Sequence, residues 1–251
     1  MKNIQLIIAY DGTGFLGWQK TQEGPSIEET LENVLSKILQ EKIHLQAASR
    51  TDSNVHAEGQ SVNFFTQKDP LSLKKLLLGI NALLPPSIVA LNIQEKPLSF
   101  HPTLDNLGKE YQYFVCNTPY QNPKHRFFSW HVKVPLKLDI MKEASEHLLG
   151  THDFSAFCNQ RSLLIDKDPI CTLYSIKIDL LDSKRLRFSI TGNRFLYKMM
   201  RNLVGTLIYV GQGKITPSEV KEIILQKKRA LAGVTAPAHG LYLVQVFYKA
   251  I

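Results

Sequence analysis

KIHLQAASRTDSNVHAEGQSVNFFTQ, residues 42–67, is the stretch on which the reading of the fold turns. Two runs of it, 42–49 and 59–67, read as strands, and RTDSNVHA (50–57) between them reads as a loop. Upstream, IQLIIAY (4–10) has the pattern of another strand, and DGTGFLGWQ, with three glycines, that of a loop. Ser26 followed by Glu29 has the capping-box spacing that opens a helix. In that helix, IEETLENVLSKILQ, the residues Ile27, Leu31, Val34, Leu35, Ile38 and Leu39 recur at helical spacing. Downstream, LSLKKLLLGINALL (71–84) predicts a second helix, stopped by Pro85 and Pro86, and IVALNIQE (88–95) a closing strand.

The order β-α-β-β-α-β is that of the split βαβ, or ferredoxin-like, unit. The second half repeats it with longer insertions. EYQYFVCN (110–117) predicts a strand, and DIMKEASEHLLG (139–150) a helix ended by a glycine. CTLYSIKIDLL (171–181) and KRLRFSITG (184–192) form a hairpin pattern around Asp182–Ser183. A long helix is expected from Asn193 to about Val210, a shorter one over 221–228, and a last strand over 240–248. The expected fold class is therefore α+β, with two ferredoxin-like halves, 1–104 and 105–251. The first half carries the RTD loop and the second carries the insertions. Their antiparallel sheets are expected side by side around a central basic cleft.

With 44% hydrophobic and 21% charged residues, the 251-residue chain has the composition of a soluble globular protein that buries a core. The N-terminal apolar run stops at Asp11, too early for a signal peptide or a membrane span. The expected location is the cytoplasm. Cys116, Cys158 and Cys171 are widely spaced and odd in number, which suggests buried thiols rather than a disulfide framework or a metal knuckle. The formal net charge of +8 favours a polyanionic partner, RNA or DNA before a membrane. Basic side chains displace the counterions condensed on a phosphate backbone.

Two chemistries compete in the loop. Arg50, two residues from Asp52, can pair with it, keep it ionised and fix its rotamer. A carboxylate so held can act as nucleophile or general base, or it can simply bond the backbone of its own turn. His56 and Glu58 spell the H-x-E of a zinc deaminase, but that chemistry also needs Pro-Cys-x-x-Cys. No Cys-x-x-Cys exists in the chain, and H-x-E here runs into Gly59 and a strand instead of a helix. In KEYQYF, Tyr111 and Tyr113 fall on one side of a strand, suited either to stacking on bases or to packing in a core. In NRFLYKMMRNLVGTLIYVG, Arg194, Lys198 and Arg201 form a basic row opposite an apolar stripe. Such a row is either a solvated face or a set of phosphate contacts. The stretch 118–135, rich in Pro, Lys and His, either touches RNA or packs between the halves.

Several segments, taken in order, resemble the TruA family of tRNA pseudouridine synthases. They are YDGTGFLGWQ (10–19), SRTDSNVHA (49–57), NALLP (81–85), FHP (100–102) and KEYQYF (109–114) in the first part of the chain. GTHDFSAFC (150–158), NRFLYKMMRNLVGTLIYVGQGK (193–214) and TAPAHGLYL (235–243) follow. The resemblance implies that Asp52 is the catalytic aspartate and that Arg50 is the arginine that pairs with it. It also implies that Tyr111 stacks on the target uracil and that Arg201 reaches the active-site cleft. The implied substrate is uridine at positions 38 to 40 of the tRNA anticodon stem-loop. A homodimer that needs no cofactor and no metal is implied as well. One departure lies in the loop itself: Asn54 stands where the family has glycine, and Asn tolerates the left-handed conformation better than most residues. A non-catalytic RNA-binding module of the same fold class is the alternative, although no RNP1-type run is present.

Overall fold

β1 (Lys2–Tyr10) is the axis of the first half. Ile4, Leu6, Ile8 and Tyr10 are buried on one of its faces, and Asn3 and Gln5 are buried on the other. The computed structural model describes residues 1–68, 72–159, 168–182 and 185–249. It divides the chain into two compact units, Met1–Leu107 with Tyr242–Ile251, and Gly108–Leu241. No helix among the described residues is long and apolar enough to cross a membrane.

In the first unit β1 is followed by α1 (Ile27–Leu39), β2 (Gln46–Ala47), β3 (His56–Thr66), α2 (Leu73–Leu83) and β4 (Ile88–Lys96). β1 runs antiparallel to both β3 and β4, and β2 lies antiparallel on β3. The resulting order, β4-β1-β3-β2, is the expected split βαβ arrangement. Ile27, Leu31, Val34, Leu35 and Leu39 form the buried face of α1, and the Ser26 hydroxyl caps it by accepting the Glu29 N–H at 3.3 Å.

The other face of the sheet carries a layer of side-chain amides and hydroxyls. Asn63 Nδ2 donates to Asn3 Oδ1 at 2.7 Å, Asn3 Nδ2 to the Phe100 carbonyl at 2.9 Å, and Gln5 Nε2 to Ser61 Oγ at 2.7 Å. The Tyr248 hydroxyl donates to the same Ser61 oxygen at 2.8 Å, and burial pushes its pKa up to about 12.

The strand expected over 42–49 shrinks to the two residues of β2. Side chains of α1 claim the backbone donors of the missing part: Ser36 Oγ accepts the Ile43 N–H at 3.0 Å and Glu32 Oε1 the Leu45 N–H at 2.9 Å. An N–H bonded to a helix side chain is lost to a strand ladder.

The second unit starts with β5 (Gly108–Cys116) and continues through β6 (Trp130–His131), α3 (Leu138–Glu146), β7 (Gly150–Asp153), β8 (Ile170–Asp182) and β9 (Arg185–Gly192). Its sheet order β5-β9-β8 repeats the β1-β3-β2 order of the first unit, with β7 added beside β8. β8 and β9 form the expected hairpin, although Ser183 in its turn lies outside the described residues, as does Leu71 at the start of the second expected helix. α4 (Met199–Gly211) and α5 (Pro217–Gln226) follow, and α3 packs against both. The three cysteines are buried.

The long helix begins six residues later than its pattern suggested. Asn193 Oδ1 accepts the N–H groups of Thr172 and Arg194, tying the segment to β8, and Lys198 sits at φ 60 immediately before the helix. Arg194, Lys198 and Arg201 therefore do not form one helical row. α5 begins earlier than expected, because Thr216 and Glu219 form a full capping box with Pro217 in the first turn.

β10 (Leu241–Phe247) follows α4 and α5 as β4 follows α2, and from Tyr242 onward it belongs to the first unit. There it pairs parallel with the start of β3, Tyr242 opposite His56 and Leu243 opposite Ala57.

Glu32 holds the Leu45 N–H from inside the first unit, with only 8% of the residue exposed. Glu32→Ala leaves that donor buried and unpaired and should destabilise the chain by roughly 1–3 kcal/mol, read from urea unfolding. An unchanged midpoint would show that water or another acceptor replaces the carboxylate.

Candidate active site

Asp52 sits on a turn fastened from both sides. The residue before it, Thr51, is buried; its hydroxyl lies 2.7 Å from the Tyr10 hydroxyl, and its carbonyl accepts the Trp18 N–H at 3.0 Å. After Asp52 the chain reverses, with the Val55 N–H donating to the Asp52 carbonyl at 3.1 Å. Asn54 stands at φ 61, the left-handed conformation that a glycine would adopt freely. Its side-chain amide meets Ser53 Oγ at 3.0 Å, and the Ser53 hydroxyl donates to the Phe15 carbonyl at 3.0 Å. Asn54 thus keeps the turn and adds bonds that a glycine lacks.

The glycine-rich 11–18 loop lies directly on this turn. A Cβ on Gly17, which has φ +103, would stand 2.7 Å from the Thr51 carbonyl oxygen, and one on Gly12 would stand 2.1 Å from that of Val55. Only glycine lets the two backbones come this close.

His56 and Glu58 are used differently from a metal pair. His56 is buried at 1% exposure, stacks on Tyr242 with ring centroids 4.6 Å apart, and places Nδ1 3.1 Å from both the Gly12 N–H and Asp11 Oδ1. Glu58 is exposed on β3. Among the described residues, no group of three or more His, Cys, Asp or Glu side chains could hold a metal ion. Arg50 is exposed and Asp52 half-buried.

In the second unit β5 places Lys109, Tyr111 and Tyr113 at alternate positions and so on one face. Both tyrosines are buried, Tyr111 at 7% exposure and Tyr113 completely. Tyr113 is wholly buried, donates to the Pro237 carbonyl at 2.7 Å, and has its hydroxyl pKa raised by burial against the opposing charge of Arg201. Tyr111 meets the edge of Phe195 with centroids 5.0 Å apart and an interplanar angle of 74°. Burial lowers the Lys109 pKa to about 8, and the charge of Arg194 adds to the effect.

Arg201 projects from the first turn of α4. Its Nε donates to the Ala236 carbonyl at 2.7 Å, and the Ala236 N–H returns a bond to the Arg201 carbonyl at 3.0 Å. The strand of loop that receives it is held by Arg229, whose guanidinium donates to Gly233 O, Asn202 Oδ1 and Thr235 Oγ1 at 2.8, 2.8 and 3.0 Å. Gly205 closes the contact, since a Cβ there would stand 1.7 Å from the Val234 oxygen. His239 lies near the same arginine. Burial lowers its pKa first, a bond to the Ser129 backbone opposes that, and the charge of Arg201 lowers it further.

Residues 6–105 and 144–249 match the family model described as tRNA pseudouridine synthase. The chain belongs to the tRNA pseudouridine synthase family. It is 50% identical to tRNA pseudouridine synthase A 2 of Protochlamydia amoebophila (strain UWE25), over 99% of this chain and 95% of that protein. It is 41% identical to tRNA pseudouridine synthase A of Clostridium acetobutylicum, over 99% of this chain and 100% of that protein. Among solved structures, a chain of the archaeal box H/ACA sRNP Nop10-Cbf5 complex is similar at 11% identity and a TM-score of 0.35, over 96% of this chain and 46% of that one. The chain is an isomerase that converts uridine in tRNA to pseudouridine. Asp52, Arg50 and Arg201 lie within the stretches matched to the family, and Tyr111 lies between them.

Sequence reasoning passed over Lys109, Arg229 and Asn202. Asn202 carried a usable signal. An asparagine among Met200, Leu203 and Val204 in an apolar helix must be hydrogen-bonded when buried, and it is fully buried here.

Gly17→Ala should cost roughly 1–3 kcal/mol of stability through strain at a positive φ and contact with the Thr51 oxygen. It should also lower pseudouridine formation by shifting the turn; thermal unfolding and a tRNA assay on one preparation measure both, and wild-type values in each would show the crossing to be loose.

Lys109 gives a pH test. Its folded pKa of about 8 lies below the usual 10.5, so between these values the unfolded chain binds more protons and stability rises with pH. Below the window the buried charge opposes folding. Lys109→Met should flatten the rise in unfolding midpoint across this window; equal slopes for both proteins would place the ammonium in water.

Proposed function

We propose that the enzyme acts on uridines 38 to 40 of the anticodon stem-loop, with Asp52 as the catalytic group on a flipped-out nucleotide and without a cofactor. The reading rests chiefly on the mounting of Asp52: a buried, doubly bonded Thr51 before it, a closed turn after it, and Asp52 itself half-buried between them. A reacting carboxylate needs fixed geometry far more than flexibility.

In the isomerisation C1′–N1 breaks, the uracil turns, and C1′ joins C5; the C5 proton leaves and N1 regains one, so substrate and product have the same composition. Asp52 can attack C1′, add to the base, or take the C2′ proton, and each route starts from an ionised carboxylate held against the nucleotide. Extruding a stacked base costs a few kcal/mol. In this reading Tyr111 returns part of that by stacking, worth about 1–3 kcal/mol per base. Arg50 and Arg201 contact the substrate, Arg50 as an exposed cation and Arg201 as one fixed by Ala236. A cytoplasmic homodimer completes the proposal.

Asp52→Asn should abolish pseudouridine in unmodified tRNA, detected by carbodiimide modification near the anticodon, while tRNA binding persists. Full activity in that variant would remove Asp52 from the chemistry. Pseudouridine appearing only outside the anticodon stem-loop would overturn the site assignment and leave the catalytic one standing.

A further inference from the structure

Between β5 and α3 the chain makes an excursion, residues 117–134, that lies outside the stretches matched to the family. It is cross-braced along its length. Asn117 Nδ2 donates to the carbonyls of Val132 and Val134 at 2.7 and 2.8 Å, Gln121 Nε2 to that of Ser129 at 3.1 Å, and the Ser129 hydroxyl to that of His125 at 3.0 Å. At its tip a single 3-10 turn, Pro123–His125, is capped by Asn122, whose Oδ1 accepts the Lys124 N–H at 3.0 Å.

This braced loop presents aromatic rings to solvent. Tyr120 is 89% exposed and Phe127 44%. The Arg126 guanidinium sits 4.2 Å from the Phe127 ring centroid, and its Nη1 donates to the Pro123 carbonyl at 2.9 Å. A guanidinium so held keeps further N–H donors and a planar surface for a ligand. The charge along this stretch of sequence has one sign. From Tyr111 to Leu138 the sequence contains no Asp or Glu, while Lys124, Arg126, Lys133 and Lys137 all fall there. The Ser129 backbone also bonds His239, which feels the charge of Arg201.

Exposed rings interleaved with cations, on a loop already ordered, match what unpaired nucleotides require: π-faces to stack on and positive charge for the backbone. We propose that this excursion is a second RNA-binding element, in which Tyr120 and the Arg126–Phe127 pair stack on unpaired bases of the tRNA substrate and Lys124 meets its phosphates. The assignment rests on tRNA being the substrate but not on which uridine reacts or on the role of Asp52.

The test is binding of an unmodified tRNA transcript to the full chain at several salt concentrations. Tyr120→Ala should weaken binding on the order of tenfold, the scale of one lost base stack, whereas Tyr120→Phe, which keeps the ring, should bind as the wild type does. Arg126→Ala should weaken binding and lower the slope of log affinity against log salt by about one. In turnover, Tyr120→Ala should raise KM and leave kcat near its wild-type value. Wild-type affinity in Tyr120→Ala, with an unchanged melting temperature, would overturn the proposal. So would weakened binding that tracks dissociation of an oligomer in sedimentation, which would give the surface to a second copy of the chain. A wild-type protein that binds tRNA but modifies no anticodon uridine would count against the site reading above and leave these binding results interpretable.

Discussion

Two stretches of backbone touch with no side chain between them, the 11–18 loop and the 51–55 turn, and the geometry of the candidate site depends on that crossing. It follows from strand register. Tyr10, the last residue of β1, pairs with Ala57 near the start of β3. The loop leaving one strand and the turn entering the other therefore emerge at the same end of the sheet. Gly12 and Gly17 then remove the atoms that would hold the two apart. Thr51 is locked in from below by Tyr10 and from the side by Trp18, so Asp52 takes its position from three segments distant in sequence. Local hydrogen bonds to β1 and to the 11–18 loop therefore fix the backbone on which the carboxylate is carried.

The register is itself well specified. Both faces of β1 are buried, one against apolar side chains and one within a ladder of amides and hydroxyls. A slip of one residue would turn Asn3 and Gln5 into the apolar layer and Ile4 and Leu6 into the polar one. Each misplaced amide would forfeit its bonds and each misplaced aliphatic group would strand a polar partner. A sheet with one dry and one hydrogen-bonded face thus resists slippage more strongly than one with a solvated face, and the placement of Asp52 inherits that resistance.

Periodicity carried most of the fold. α1, α2, β1 and β4 lie where their apolar spacing puts them, because in each the tertiary partner agrees with the local pattern, whereas β3 starts at His56, inside the expected loop, where its first residues pair with β1 and β10. The other misplacements share one physical origin: a polar side chain captured a backbone group. Ser36 and Glu32 took the donors of 43–45, and Asn193 tied down the residues before α4. Hydrophobic periodicity does not register such captures. The return of β10 to the first unit is a matter of topology that local pattern does not encode. At the site, the RTD turn was legible as a motif, and Asn54 was legible as a residue able to stand at positive φ. The pairing of Arg50 with Asp52 was inferred from spacing and from the family resemblance. The buried Thr51 between them is anchored inward, and Arg50 is turned to solvent.

α4 breaks a rule that its neighbours keep. α1 and α5 place Glu28, Glu29 and Glu219 in their first turns, where carboxylates complement the positive end of the helix dipole. α4 has no acid in its first turn and no side-chain cap, and it carries Lys198 just before the helix and Arg201 within that turn. Two cations at a positive helix end repel it and each other, so the arrangement is unfavourable for the helix taken alone. Part of the strain is relieved by the Ala236 carbonyl, which accepts from Arg201, and the receiving loop is braced by the Arg229 network. Those bonds fix the guanidinium. A sequence that departs from local preference and then builds a support around the departure is serving something outside the fold. In α4 that support is the Ala236 carbonyl and the loop braced by Arg229, which hold the Arg201 guanidinium at the positive end of the helix.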